Sequence, residues 1–398
     1  MLFWKYVFIV SLLLILYNYI GYAVIALIIN KITGKSKSTT RTVYQPTVSF
    51  IVAAYNEEDV IEKKILNSLD QDYPSSKIEF IFITDGSTDK TNSIVERYPA
   101  IQLLYQPERG GKSAALNRAV SAAKNEILIM SDANTFLNKE AVAYIAAHYN
   151  LENVGGVAGE KKVLSYESDI EGVGTREGLY WKYESFLKKV DSAFYSVVGA
   201  AGELFSIRRS LYEPLPNSVI LDDFIISLKA AEKGYRIIYE PMAYAMELSS
   251  VSIKEEKKRK IRISAGGFQA MQMLKSLLYF WKHFRLSYLY ISHRVMRWTT
   301  SPICLLLLFI SNLLLLFNSV NYIYRTIFIL QVLFYLVALI SPYIPANSKF
   351  KFLKIAGYFS FMNFSVFLGF YRYMSKRQSS VWEKAKRSVE DISNINKE

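Results

Sequence analysis

The sequence predicts a doubly wound, mainly parallel α/β domain that lies between membrane-spanning helices at the two ends of the chain. Long uncharged apolar runs near both ends predict the helices, and short apolar runs alternating with helical patterns in the middle predict the α/β domain. Of the 398 residues, 51% are hydrophobic, which excludes a disordered or collagen-like chain. The single Cys304 excludes a disulfide within this chain and a cysteine-built zinc site.

The chain is basic, with a formal net charge of +13. A surplus of this size is compatible with nucleic acid or with anionic lipid as a partner. Much of it lies in residues 254–297 and in the tail from Arg372, and both blocks flank long apolar runs. Basic residues beside apolar runs are typical of the cytosolic face of a membrane protein. The pattern therefore favours a lipid bilayer as the partner and no nucleic acid.

Residues 1–41 are expected to be an uncleaved N-terminal transmembrane anchor. Residues 6–30 carry no charge and are long enough to span a bilayer, and no small-residue cleavage site is evident after them. Four basic residues follow between positions 31 and 41, whereas only Lys5 precedes the run. The positive-inside rule then places the middle of the chain in the cytosol, in a multi-pass protein of the cell membrane.

Residues 298–372 are expected to hold the C-terminal membrane helices. The stretches 298–324 and 326–348 are uncharged, but 355–371 has only 17 residues, which is at the lower limit for a spanning helix. If this third segment spans, the basic tail 373–398 lies outside the cell. If it is re-entrant or interfacial, the tail stays in the cytosol, and this second alternative is favoured slightly.

Residues 276–297 alternate aromatic and leucine side chains with basic residues such as Lys282, Arg285 and Arg294. This alternation predicts an amphipathic helix lying in the cytosolic membrane interface. The alternative is an ordinary core helix of the soluble domain.

Residues 42–275 are expected to form the cytosolic domain. Four apolar runs, at 48–54, 78–84, 101–106 and 126–131, alternate with helical patterns. Such alternation predicts a mainly parallel sheet covered on both faces. In such sheets, ligands bind beyond the carboxyl ends of the strands.

Polar and acidic loops follow three of these four runs. The first run leads into residues 54–57 (Ala-Tyr-Asn-Glu), the second into Asp85, and the fourth into Asp132 and Asn134. A single Asp after a strand is often only a helix cap, but three such loops at one sheet edge indicate a binding site. Carboxylates beside a diphosphate need a divalent cation between them, and oxygen ligands predict Mg²⁺ or Mn²⁺.

The Gly-Gly-Lys-Ser sequence at 110–113 follows a strand and opens a helix, as a phosphate-binding P-loop would. A P-loop requires glycine at position 106, where this chain has Gln106, so the pattern does not match. Lys112 at a helix N-terminus is nevertheless well placed to contact phosphate oxygens.

The ordered set AYNE, DGSTD, GGKSAALN, SDAN and LDDF resembles the inverting family 2 glycosyltransferases, which have the GT-A fold. The layout is similar to that of the membrane-embedded cellulose, hyaluronan and poly-N-acetylglucosamine synthases. This resemblance, which covers residues 45–270 and the flanking helices, implies transfer of a sugar from a nucleotide sugar, expected to be UDP-linked. The acceptor would be a growing glycan or a lipid-linked sugar, in polysaccharide or glycolipid biosynthesis. The alternative is a nucleotide-binding membrane transporter or scaffold without transferase activity.

The resemblance also implies a role for each site residue. Asp223, with Asp222 beside it, would be the general base that takes the proton from the attacking acceptor hydroxyl. Asp132 and Asn134 stand where the family has its metal-binding DxD motif, although Asn134 departs from the second Asp. The residues implied in nucleotide-sugar binding are Ala54, Tyr55, Asn56, Glu57, Asp85, Lys112, Asp132, Arg259 and Arg262.

Glu203 and Trp382 are the residues expected near the acceptor, although a buried salt bridge is nearly as good an interpretation for Glu203. Polymer-making members carry Gln-x-x-Arg-Trp, and the corresponding run here, 259–263, lacks both the Gln and the Trp. Since that Trp would pack against an acceptor sugar, its replacement by Ile263 favours short or single additions over processive synthesis. An oligomer or an export partner could still complete a path for a polymer.

Overall fold

The structure of the chain is a computed structural model that describes residues 1–32, 44–164, 173–249, 252–318, 321–344 and 350–376. Its strands are β1 Val48–Ala54, β2 Ile78–Asp85, β3 Ile101–Gln106, β4 Ile127–Asp132, β5 Phe136–Leu137, β6 Val154–Leu164, β7 Phe205–Arg208 and β8 Arg236–Leu248. Its helices are α1 Leu2–Leu16, α2 Tyr22–Ile32, α3 Ile61–Leu69, α4 Thr91–Val95, α5 Lys112–Ala122, α6 Ala141–Ala147, α7 Val173–Phe194, α8 Asp222–Glu232, α9 Ile253–Met273, α10 Phe284–Tyr290, α11 Met296–Trp298, α12 Thr300–Asn318, α13 Tyr322–Ile340 and α14 Lys354–Met374.

The eight strands form one mixed sheet in the order β3-β2-β1-β4-β7-β6-β8-β5. The first four strands are parallel to one another, as the alternation of strands and helices predicts. Beyond them, β7 is antiparallel to both β4 and β6, whereas β6 and β8 are parallel. The predicted class, a mainly parallel α/β domain, is therefore confirmed, and the four predicted strands match β1 to β4 to within one residue.

Both faces of the central strands β1 and β4 are buried, and every residue of β1 is buried. Ile51 of β1 packs with residues of α5, α8 and α10 in one core cluster. Phe50 of β1 packs with residues of α3 and α6 in a second cluster on the opposite face. A sheet covered on both sides exposes mainly its strand ends and the loops there, and these loops carry the predicted site residues.

Within the described ranges, three helices are long and apolar enough to cross a membrane, Leu2–Ile32, Thr300–Phe317 and Tyr322–Tyr343. The first contains α1 and α2, joined by a π-helical turn at Tyr17–Gly21. The N-terminal span packs against the C-terminal spans, because Phe8 lies in one apolar cluster with Leu308 and Leu315. Apolar helices thus lie at both ends of the chain, as predicted.

Helix α14 lies outside this set of three and packs along α9. Gly369 permits the close approach, since a Cβ atom there would lie 2.4 Å from Cβ of Ser264. The ring of Phe370 lies 5.1 Å from that of Phe268, and the Tyr373 hydroxyl bonds with Gln272. Helix α14 is therefore held against the soluble domain, and a re-entrant or interfacial position for it stays a prediction.

Residues 276–297 differ from the single amphipathic helix that their alternation predicts. A 3₁₀ turn at Lys275–Leu278 is followed by α10, a π-helical turn at Ile291–Val295 and α11. Tyr290 and His293 are fully buried in the soluble domain, whereas Trp281 is 78% exposed. His293 has buried acidic partners from α7, which agrees with the alternative, a core helix of the soluble domain, and a position in the membrane interface stays a prediction.

Candidate active site

A cavity of about 690 Å³ opens at the carboxyl ends of β1 and β4, where the sequence places the ligand site. Its lining includes Lys112, which begins α5, Asp132, which ends β4, and Asp222 and Asp223, which begin α8. The structure thus brings side chains from three separate motifs into one cavity.

Lys112 and Asp132 form an ion pair, with 2.6 Å between Nζ and Oδ1. The residue before the helix, Gly111, has a φ of +88°, a backbone conformation that favours glycine. Burial acts to lower the pKa of Lys112, but the charges of Asp132, Asp222 and Asp223 raise it overall. Lys112 is therefore a permanent cation at a helix N-terminus, which suits a phosphate group.

The carboxylate of Asp223 lies next to the ion pair of Lys112 and Asp132, beside Gly202. A Cβ atom on Gly202 would lie 2.9 Å from Nζ of Lys112, 3.4 Å from Oδ2 of Asp223 and 3.6 Å from Oδ2 of Asp132. Burial, followed by the charge of Asp222, raises the pKa of Asp223 to about 7. A carboxylate with a pKa near neutrality has the basicity that a general base requires. The glycine leaves room for reacting groups between the three side chains.

The loop after β1 is bonded to the loop after β2. Asn56 has a left-handed backbone with a φ of +52°, and its side-chain oxygen accepts a hydrogen bond from the Thr88 amide at 2.8 Å. The Glu57 amide donates to the Thr91 hydroxyl at 2.8 Å. These bonds hold residues 54–57 in one place relative to the second loop.

The guanidinium of Arg109 lies 3.5 Å from the centre of the ring of Tyr55, which is part of this loop. Arg109 is a residue that the sequence reasoning missed, although it directly precedes the Gly-Gly-Lys-Ser motif. The pair places a flat cationic surface beside the predicted nucleotide loop.

Asp85 is buried, and its two carboxylate oxygens accept hydrogen bonds from the amides of Gly110 and Gly111, at 2.9 and 2.7 Å. It therefore fixes the loop that presents Lys112. The direct contact with the nucleotide that the resemblance implies for Asp85 stays a prediction.

Glu203 is a member of a buried ionic network. Lys161 pairs with Glu203 and with Glu247, and Asn134 donates from Nδ2 to Glu247 at 2.9 Å. Burial acts to raise the pKa of Glu203, but Lys161 lowers it overall, so this carboxylate stays ionised. The structure thus shows the salt bridge that was the alternative interpretation of Glu203, in the wall of the same cavity.

Asp132 and Asn134 are the residues that fit a divalent cation. Among the described residues, no group of three His, Cys, Asp or Glu side chains is arranged to hold a metal. The bond from Nδ2 of Asn134 to Glu247 leaves its carbonyl oxygen as the ligand atom, beside the carboxylate of Asp132. The carboxylates of Asp132, Asp222 and Asp223 all lie close to Lys112, and a divalent cation held here would take its other ligands from diphosphate and water.

Arg259 and Arg262 also line the cavity, as the resemblance implies. Arg259 pairs with Glu256 at 3.0 Å. Burial lowers the pKa of Arg262, and within the described part of the chain Arg262 makes no hydrogen bond or ion pair. A guanidinium in this state suits a phosphate oxygen. The remaining predicted residue, Trp382, lies outside the described residues.

One wall of the cavity is formed by residues that the sequence reasoning missed. Trp181, Glu184 and Lys188 lie on one face of α7, and Arg294 and Arg297 lie opposite them, from the turn after α10 and from α11. The spacing of the three α7 residues is a helical one, which is the only sequence signal for this wall. The sequence pattern predicts Arg294 as a charge at the membrane surface, whereas the structure places it in this wall.

Comparison with known proteins agrees with this geometry. Residues 49–215 match the family described as "Glycosyl transferase family 2". The chain is 27% identical over 232 residues to the poly-beta-1,6-N-acetyl-D-glucosamine synthase of Staphylococcus aureus strain MSSA476, covering 56% of this chain and 55% of that protein. It is 27% identical over 258 residues to the probable glycosyltransferase YdaM of Bacillus subtilis strain 168, covering 60% and 58%. The chain thus spans somewhat more than half the length of these relatives.

Among solved structures, the chain is similar to the mannosyltransferase PcManGT from Pyrobaculum calidifontis in complex with GDP-Man and Mn²⁺. The TM-score is 0.69 at 21% identity, and the match covers 94% of this chain and 100% of that one. This likeness shows the fold and includes the helices at both ends. The chain therefore carries a family 2 glycosyltransferase domain with the GT-A fold.

Proposed function

We propose that this protein is an inverting glycosyltransferase that moves a sugar from a nucleotide sugar to a hydroxyl of a lipid-linked or glycan acceptor. The observation that carries the proposal is the convergence of Asp223, Asp132 and Lys112 around Gly202. Asp223 has the basicity to take a proton, and Asp132 and Lys112 suit the phosphates of a donor. No single sequence motif contains all three of these residues.

The donor would lie across the carboxyl ends of β1 and β4. Residues 54–57 and Asp85 form the nucleoside side, where Arg109 and Tyr55 add a stacking surface. Lys112 and Arg262 face the diphosphate. A UDP-linked donor is expected from the resemblance, and the similar solved mannosyltransferase carries GDP-Man, so both nucleotides belong in the test.

In the proposed reaction, Asp223 accepts the proton of the acceptor hydroxyl as its oxygen attacks the anomeric carbon. The bond from that carbon to the diphosphate breaks on the opposite side, so the configuration inverts. Lys112 stabilises the negative charge that develops on the departing diphosphate. The chemistry that Mg²⁺ or Mn²⁺ supplies, when bound at Asp132 and Asn134, is neutralisation of the same charge.

We place the reaction at the cytosolic face of the cell membrane. The cavity reaches Tyr19 in the turn between α1 and α2, so it extends from the strand ends to the N-terminal membrane span. Tyr19 donates a hydrogen bond to Asn363 of α14 at 3.2 Å. This contact joins two helices at the far end of the cavity, and it supports short or single additions over the export of a long polymer.

Trp181 replaces the aromatic side chain that the run 259–263 lacks. It lies in the wall of the cavity, where the ammonium groups of Lys161 and Lys188 lie 4.9 and 5.5 Å from its ring. An indole ring in this position could pack against an acceptor sugar. We therefore assign the acceptor contact to α7.

The test is turnover by the purified protein with a panel of UDP- and GDP-linked sugars and Mg²⁺ or Mn²⁺. We expect release of one nucleoside diphosphate together with a product of one or a few added sugars and an inverted anomeric configuration, measured by NMR. Asp132→Asn should abolish this turnover, and Asp72→Asn, a change at an exposed residue away from the cavity, should preserve it. Retained configuration, or wild-type turnover by Asp132→Asn, would contradict the proposal.

A further inference from the structure

The cavity continues beyond the catalytic carboxylates toward the membrane helices. We call the group formed by Lys188, Arg294 and Arg297 the basic chamber, and all three residues line this part of the cavity. Arg294 donates from Nε to the carbonyl of Val198 at 3.2 Å, directly before the loop that contains Gly202. The guanidinium of Arg297 lies 5.8 Å from the ring of Tyr19. The basic chamber therefore connects the loop beside the base with the N-terminal membrane span.

Lys188 is the unusual member of this group. Only 1% of its surface is exposed, and its ammonium group makes no hydrogen bond to any described residue. Its neighbours include the rings of Trp181 and Tyr239, whose centres lie 5.5 and 6.0 Å away. A buried ammonium without a hydrogen-bonded partner is costly, and an anionic ligand would supply the missing partner.

The two arginines are held in place by one carboxylate. Glu184 of α7 pairs with Arg294 at 3.0 Å and also with Arg297. Burial acts to raise the pKa of Glu184, but the two guanidinium groups hold it well below its usual range. Glu160 and Glu203 also lie near Lys188, so carboxylates balance part of this positive charge. None of them forms a hydrogen bond with the ammonium group of Lys188, which is therefore the group that a ligand would contact.

Apolar surface continues from the basic chamber into the membrane helices. Phe359, Met362 and Val366 of α14 line the same cavity. A second cavity of about 320 Å³ lies between α13 and α14, is mostly apolar and shares Tyr358 with the first. A ligand with an anionic group in the basic chamber therefore has apolar surface next to it, on the side of the membrane spans.

We infer that the acceptor is a sugar joined to a lipid through a phosphate, and that Lys188 in the basic chamber recognises this phosphate. The inference rests on the proposed transfer reaction, because a general base at Asp223 implies a hydroxyl as the nucleophile. The acceptor must then carry both a sugar hydroxyl and an anionic group. The new bond forms at that hydroxyl, and the acceptor phosphate remains unchanged.

The experiment compares one monosaccharide presented in two ways, as a farnesyl phosphate-linked sugar and as its neutral octyl glycoside, with full-length protein and the active donor. We expect wild type to prefer the phosphate-linked form. Lys188→Met should raise the KM for that acceptor at least ~10-fold, the scale of a lost charge-assisted hydrogen bond, and leave the donor KM unchanged. Lys189→Met is the matched control, since Lys189 is exposed on the same helix and should behave as wild type.

Binding without donor provides an independent readout. Farnesyl phosphate should raise the thermal unfolding temperature of wild type and of Lys188→Arg, which keeps the charge, but not that of Lys188→Met. Inorganic phosphate at the same concentration should have a much smaller effect, because it lacks the lipid. Equal stabilisation by inorganic phosphate would contradict the lipid part of the inference.

Two results would overturn the inference as a whole. One is equal use of both acceptors by wild type, and the other is an effect of Lys188→Met on the donor KM in place of the acceptor KM. Failure of the proposed function looks different, since no nucleoside diphosphate would then be released with any acceptor, and the thermal measurement would still test the basic chamber.

Discussion

The two ends of the cavity differ in charge. At the sheet edge, the carboxylates of Asp132, Asp222 and Asp223 lie close to Lys112, which is already paired with Asp132. At the membrane end, Arg294 and Arg297 pair with Glu184, and the ammonium group of Lys188 makes no hydrogen bond to a described residue, although Glu160 and Glu203 lie near it. The first end suits a diphosphate only together with a divalent cation, whereas the second suits an anion directly. Under the proposed function, this difference would direct the nucleotide-sugar donor to the first end and the acceptor phosphate to the second.

The largest effect is expected at the acidic end. Asp132→Ala should lower transfer at least ~1000-fold, because it removes a metal ligand and the partner of Lys112. EDTA should abolish activity, and millimolar Mg²⁺ or Mn²⁺ should restore it, as measured by release of nucleoside diphosphate. Full activity in EDTA would show that the acidic end works without a cation and would remove the contrast with the basic end.

Gly202→Ala should lower kcat by roughly 10- to 100-fold, because a methyl group would occupy the space between Lys112, Asp132 and Asp223 and misplace the reacting groups. The effect on thermal stability should be small, since Lys112 is flexible at its far end. Gly178→Ala is the matched control, because a Cβ atom there would meet nothing within 4 Å. Equal kinetics for the two variants would mean that the reaction takes place elsewhere in the cavity.

The pH dependence of transfer should report the ionisation of Asp223 at the acidic end. Since Asp223 must be ionised to act and its pKa is raised to about 7, kcat/KM should fall about tenfold per pH unit below pH 7 and level off above it. Asp222→Asn removes a neighbouring negative charge, so its profile should move to lower pH. A profile that does not move would indicate that burial alone sets the pKa of Asp223.

A smaller effect is expected at the nucleoside side. Arg109→Ala removes a cation that lies 3.5 Å from the ring centre of Tyr55, and the donor KM should rise about threefold to tenfold with kcat unchanged. Lys90→Ala, at an exposed residue outside the cavity, serves as the control. A change in kcat instead of KM would place Arg109 among the groups that act in the transition state.

The acidic end could be predicted from the sequence because each of its residues stands in a short motif, and two of these motifs follow parallel strands. Asp132 and Lys112 are examples, and parallel strands bring their carboxyl ends to the same edge of the sheet. Asp85 shows the limit of this reasoning, since no motif indicates that its carboxylate would accept hydrogen bonds from the amides of Gly110 and Gly111.

The basic end could not be predicted, because its residues come from helices far apart in the chain. Lys188 and Arg294 meet only when α7 packs against the turn after α10. In sequence, Arg294 and Arg297 lie beside an apolar run, where membrane-surface charges are usual. Their buried partner Glu184 follows from tertiary packing and not from any local pattern.

The central claim is that Asp223 is the base for an acceptor hydroxyl, and the most direct test is Asp223→Asn with donor binding and transfer measured separately. The change keeps the size of the side chain and removes the proton acceptor, so transfer should fall at least ~100-fold while the Kd for the donor stays the same. Wild-type transfer by Asp223→Asn, with Asp222→Asn inactive, would contradict the account and assign the base to Asp222.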